Sequence, residues 1–137
     1  MEEVSDTMAE KKTKVLVLDD EAEISDFVKG VLEERNYDVF TAFTAEEAVA
    51  IARARRPKVA LLDVKLGTAK DGFDALKELK EIDPGIKAIM VTVVDDADSI
   101  AKAKTLGADS YVHKPFNLEY LESFVLTKIS DLARKKE

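Results

Sequence analysis

The sequence predicts a doubly wound α/β domain: one five-stranded parallel sheet with helices on both faces. Two observations predict it. Short apolar, β-branched runs alternate with stretches of helical period, an order that requires parallel strands joined by right-handed crossovers. Most of those runs also close on a polar residue. Asp19-Asp20 follows Val15-Leu16-Val17-Leu18, and Asp63 follows Val59-Ala60-Leu61-Leu62. Thr92 follows Ile89-Met90-Val91, and Lys114-Pro115 follows Tyr111-Val112-His113.

Taken in order, the first strand is expected at about Lys14–Asp19, followed by a helix whose Ile24, Phe27, Val28, Val31 and Leu32 share one face. The second strand is about Asp38–Ala42. The next helix opens on Thr44-Ala45-Glu46-Glu47, a capping box, and ends at Pro57. The third strand is about Lys58–Asp63, with a polar loop from Val64 to Asp71. Gly72 precedes a helix carrying Phe73, Leu76, Leu79 and Ile82, which stops at Asp83-Pro84-Gly85. The fourth strand is Lys87–Thr92, and a short helix around Ser99–Leu106 closes at Gly107, a left-handed cap. The fifth strand is Ser110–His113. Asn117 caps a last helix bearing Leu118, Leu121, Phe124, Val125, Ile129 and Leu132.

Composition narrows the function. The 137 residues suit one domain, with no second core after the last helix. Residues 1–13 lack apolar periodicity and read as a flexible N-terminal arm, leaving 14–135 as the folded domain. Cysteine is absent, which excludes disulfide and thiolate chemistry. No apolar run approaches the ~20 residues that span a bilayer, and the acidic start lacks the features of a signal peptide. We expect a soluble, cytoplasmic protein with no membrane contact. A net charge of −7 argues against direct nucleic-acid binding.

The polar strand ends carry the chemistry. If the runs are parallel strands, Asp19, Asp20, Asp63, Thr92 and Lys114 converge at the carboxyl edge of the sheet, where open α/β sheets bind ligands. Three carboxylates together repel unless a hard divalent cation with oxygen ligands joins them. This set points to a magnesium-assisted phosphoryl site.

In these residues the chain resembles the receiver domain of two-component response regulators. The resemblance covers about Lys14 to Ala133. It rests on Asp19-Asp20, Asp63, Asp71-Gly72, Thr92, and Gly107-Ala108-Asp109-Ser110-Tyr111 leading into Lys114-Pro115-Phe116. It implies a flavodoxin-like sheet of order 2-1-3-4-5. It makes Asp63 the phosphoacceptor for a phosphohistidine on a sensor histidine kinase or phosphotransfer protein. It implies Mg²⁺ held by Asp19, Asp20, Asp63 and the backbone carbonyl of Lys65, with Lys114 on the phosphoryl oxygens. Thr92 and Tyr111 become the switch pair, and the Lys114–Pro115 bond is expected to be cis. Phosphorylation is expected to change the face formed by the fourth helix, fifth strand and fifth helix, for partner binding or homodimerisation. The protein is then a stoichiometric phosphoacceptor, not an enzyme.

Plainer readings stand beside these. Asp19-Asp20 alone reads as a helix cap, and Thr92 or Lys114 alone as an ordinary strand-end residue. Gly72 and Gly107 read as backbone punctuation. His113 is the single histidine; strand alternation turns it away from Lys114, so we read it as structural. Two departures from the family pattern appear. The loop after Asp63 is longer and lacks a proline near Gly67, and Val93-Val94 stands where the family prefers a small residue. The alternative is a Mg-dependent phosphohydrolase of haloacid dehalogenase type, whose nucleophile closes the first strand in Asp-x-Asp. Here the Asp pair comes first and Asp63-Val64-Lys65 lacks the second Asp.

Overall fold

The computed structural model describes residues 12–93 and 97–135, so the expected N-terminal arm (to residue 11) and Val94 lie outside the described residues. Strands and helices alternate throughout. They are β1 (Lys14–Leu18), α1 (Ala22–Glu34), β2 (Asp38–Ala42), α2 (Ala45–Arg55) and β3 (Val59–Asp63). Then come α3 (Gly72–Ile82), β4 (Lys87–Val93), α4 (Ala97–Thr105) and β5 (Ser110–Lys114). The last helix, α5, runs as Leu118–Tyr120, a π-helical turn at Leu121–Val125, and Leu126–Arg134.

The sheet is wholly parallel in the order β2-β1-β3-β4-β5, as the resemblance implies. Period-two alternation divides the core between its faces. Leu16, Leu18, Ala60, Leu62, Ala88 and Met90 pack with α2, α3 and α4. Val15, Val17, Val59, Leu61, Ile89, Val91 and Val112 pack with α1 and α5. Covering both faces is why the strands read as continuous apolar runs. β3, the central strand, is buried along its whole length and carries Asp63 at its end.

Local chemistry sets the element ends. Thr44 Oγ1 accepts from the Glu47 N–H, but Glu47 reaches back to the Phe43 N–H, one residue earlier than a capping box requires. A complete capping box sits on α3 instead, where Asp71 and Asp74 accept from each other's N–H. Gly107 closes the α4 segment at φ +92°, as expected, and Asn117 accepts from Tyr120 to cap α5. Arg56 ends α2 in the left-handed region, with Pro57 after it. The π turn has no signature in the hydrophobic pattern, since its Leu121 and Val125 keep the spacing of an ordinary helix.

Candidate functional site

The carboxyl ends of β1, β3, β4 and β5 meet because their register is fixed by parallel pairing, with Leu18 opposite Leu62, Asp63 opposite Val91, and Thr92 opposite His113. Asp19 and Asp63 are buried, at 4% and 5% exposure, and Asp20 is exposed. Carboxylate oxygens of Asp19, Asp20 and Asp63 all lie within 4.8 Å of one another. Lys114 Nζ reaches into the group, 2.8 Å from Asp63 Oδ2 and 3.1 Å from Asp19 Oδ2. Thr92, Lys65 and Val93 line the same small cleft as Asp63 and Lys114. The Lys114–Pro115 bond is cis.

The electrostatics follow from one ammonium facing several carboxylates. Burial pushes the Asp63 carboxyl up, the Lys114 hydrogen bond and charge pull it down, and Asp19 and Asp20 push it up again. The outcome is a pKa of about 6. Burial disfavours the Lys114 ammonium, but its hydrogen bond to Asp63 and the charges of Asp63 and Asp19 outweigh that and raise its pKa. The cluster stays short of positive charge. Hard oxygen donors at this spacing, two of them buried, fit a hard divalent cation.

The capping reading of the Asp pair does not hold. Glu21 occupies the N-cap of α1 without a side-chain cap bond. Asp19 Oδ1 accepts the Glu21 N–H at 2.9 Å, and Asp20 Oδ2 accepts the Gly67 N–H at 2.9 Å. Asp20 thereby ties the long loop after Asp63 to the site.

Three residues escaped sequence reasoning. Glu21 adds a fourth carboxylate, its Oε1 3.3 Å from Lys114 Nζ; its place directly after the Asp pair was the available signal. Gly72 is more than punctuation, because a Cβ there would collide with the Asp63 backbone carbonyl. His113 does turn away from Lys114, but towards Thr92, with Nδ1 3.4 Å from the Thr92 hydroxyl. Tyr111 is partly buried on that same sheet face, with Lys104 Nζ 5.8 Å from its ring centre.

Comparison with known proteins agrees with this geometry. A family model described as the response regulator receiver domain matches residues 15–126. Sporulation initiation phosphotransferase F of Bacillus subtilis (strain 168) is 33% identical over 112 residues, 82% of this chain and 90% of that protein. The probable transcriptional regulatory protein TcrX of Mycobacterium tuberculosis is 36% identical over 105 residues, 77% of this chain. This chain covers only 44% of TcrX. A CheY-like response regulator receiver domain protein from Methanospirillum hungatei JF-1 superposes with a TM-score of 0.81 at 30% identity, over 92% of this chain and all of that one.

Proposed function

The chain belongs to the response regulator receiver domain family and serves phosphorylation-dependent two-component signalling; from that premise we propose that Asp63 is its phosphoacceptor. The observation that carries this reading is the buried Asp63 carboxylate at the end of the central strand, held 2.8 Å from Lys114 among further carboxylates. The phosphoryl donor is a sensor histidine kinase or a phosphotransfer protein. The chain acts stoichiometrically, assisting its own phosphorylation and a slow loss of the phosphoryl group.

With a pKa of about 6, Asp63 is mostly ionised at pH 7 and competent as a nucleophile. An attacking carboxylate meets an anionic phosphoryl group, so the site must supply positive charge and alignment more than acid–base groups. Asp19, Asp20 and Asp63, with the Lys65 backbone carbonyl, would hold Mg²⁺, which supplies charge neutralisation when bound. Lys114 already sits on an Asp63 oxygen and passes to the transferred phosphoryl oxygens as a point charge. The Thr92 hydroxyl turns from its ground-state position to donate to that group, and Tyr111 moves inward behind it. The readout is the face formed by α4, β5 and α5, used for partner binding or homodimerisation. No observation favours the phosphohydrolase alternative.

Mass spectrometry after treatment with acetyl phosphate and Mg²⁺ tests the reading. We expect one added phosphoryl group, lost in Asp63→Asn and on chelation of the metal. Undiminished labelling of Asp63→Asn would overturn the assignment.

A further inference from the structure

On the reading that Asp63 accepts a phosphoryl group, we propose that His113 is a positioning residue that couples Thr92 to α5, beside the route through Tyr111. Thr92 and His113 are register partners on adjacent parallel strands, so their side chains stand together on one face of the sheet. The Thr92 hydroxyl and His113 Nδ1 are 3.4 Å apart, long for a hydrogen bond but close enough to be in direct contact. Thr92 is 3% exposed, so solvent cannot readily replace that contact. Thr92 also lines the cleft at Asp63. Thr92 therefore borders the phosphoryl position while its hydroxyl stands beside the imidazole.

His113 is held on its other side by α5. Its backbone N–H, on the edge strand, donates to the Tyr120 hydroxyl at 2.9 Å. That ring stacks between Phe116 and Phe124, with centroids 6.1 and 5.3 Å away. Tyr120 is the last residue before the π turn at Leu121–Val125, a helical irregularity frequent at functional positions. His113, Tyr120, Ser123 and Phe124 line one open groove beside β5. A change at the Thr92 hydroxyl thus reaches α5 through one residue, gripped at its ring by Thr92 and at its backbone by Tyr120. Tyr111 shares that sheet face two residues earlier in β5, and Lys104 of α4 lies over its ring. Two separate paths leave Thr92's side of the sheet, one through Tyr111 to α4 and one through His113 to α5. Phosphorylation biases either path only through contacts that differ between the two states, and for the His113 path that contact is the Thr92 hydroxyl.

Backbone amide NMR of the chain with Mg²⁺, with and without beryllofluoride, tests this in the parent and in His113→Ala, His113→Phe, His113→Asn and Tyr111→Ala. His113→Phe keeps a ring without Nδ1, and His113→Asn sets an amide atom near the place of Nδ1. In His113→Ala and His113→Phe, the beryllofluoride shifts over residues 118–125 should fall roughly twofold, the scale of one weak hydrogen bond, while those over 97–105 persist. His113→Asn should restore them. Tyr111→Ala should do the reverse, losing the α4 shifts and keeping those of α5. Undiminished α5 shifts in His113→Phe, no recovery in His113→Asn, or loss of both sets in Tyr111→Ala would each overturn the coupling. Acetyl phosphate labelling of the same samples keeps the two readings apart: an unlabelled parent removes the phosphoacceptor reading, and a labelled parent with unaltered α5 shifts removes only the role of His113.

Discussion

Two lysine–carboxylate clusters sit at opposite ends of the sheet, and they are built on different plans. At the amino end, Lys80 Nζ bonds Asp109 Oδ2 at 2.9 Å and the Ile86 carbonyl at 2.7 Å. The same Asp109 oxygen accepts the Ala88 N–H at 2.8 Å. One cation meets one anion, both about one-fifth to one-quarter exposed, and backbone groups take up the rest. At the carboxyl end, Lys114 serves Asp63, Asp19 and Glu21 at once, and Asp20 turns to the Gly67 N–H. The balanced pair joins α3 to the start of β4 and β5. The unbalanced cluster stores repulsion that an incoming cation can relieve. The difference separates a structural ion pair from a reactive site: count the charges, not the bridges.

The largest test of that contrast is Asp63→Asn in metal-free solution. The folded carboxyl has a pKa of about 6 against 3.8 in the unfolded chain, so it favours folding fully below pH 3.8. That stability is lost as pH rises through 6. Removing the carboxylate should therefore stabilise the protein at pH 8 by about 2–3 kcal/mol, with the gain shrinking as pH falls from 6 towards 4. Urea melts across pH measure it; a pH-independent or negative effect would break the contrast.

Asp109→Asn should do the opposite. It leaves Lys80 half-paired and should cost about 1–2 kcal/mol by the same melts. A neutral or stabilising outcome would mean that the two clusters are not different in kind. Next in size is the metal. At a Mg²⁺ concentration about ten times its dissociation constant, the parent should gain about 1.4 kcal/mol. Asp20→Asn should lose most of that gain, while Asp109→Asn should keep it, as thermal shift would show.

The smallest effect concerns the lifetime of the aspartyl phosphate on Asp63. Lys65 and Val94 stand two residues beyond Asp63 and Thr92, and neither is a carboxylate or amide suited to orient an attacking water. Val94 lies outside the described residues; Val93 lines the cleft and is half exposed. We expect a long-lived phosphoryl group, with Val93→Ala speeding its loss by about two- to five-fold, a barrier change near 0.5–1 kcal/mol. An unchanged decay rate would remove Val93 from control of turnover.

The sequence by itself determined the strand order's raw material and the site's membership. Buried parallel strands must be apolar, so a polar residue that ends such a run marks the sheet edge, and Asp19, Asp20, Asp63, Thr92 and Lys114 were legible for that reason. Gly107 and Asn117 were legible too, because left-handed caps and N-caps are chosen by local backbone chemistry. Some strand ends shifted by one residue because pairing between strands, not the run itself, decides where a ladder stops. Only the tertiary structure decided how Lys114 divides itself among three carboxylates, that Asp20 holds Gly67, and that Gly72 approaches the Asp63 carbonyl too closely for a side chain. It also decided that His113 faces Thr92, since that needs the cross-strand register of β4 and β5. Most of these join segments far apart in the chain, and contacts set by register and loop closure leave no periodic trace in the residues that make them.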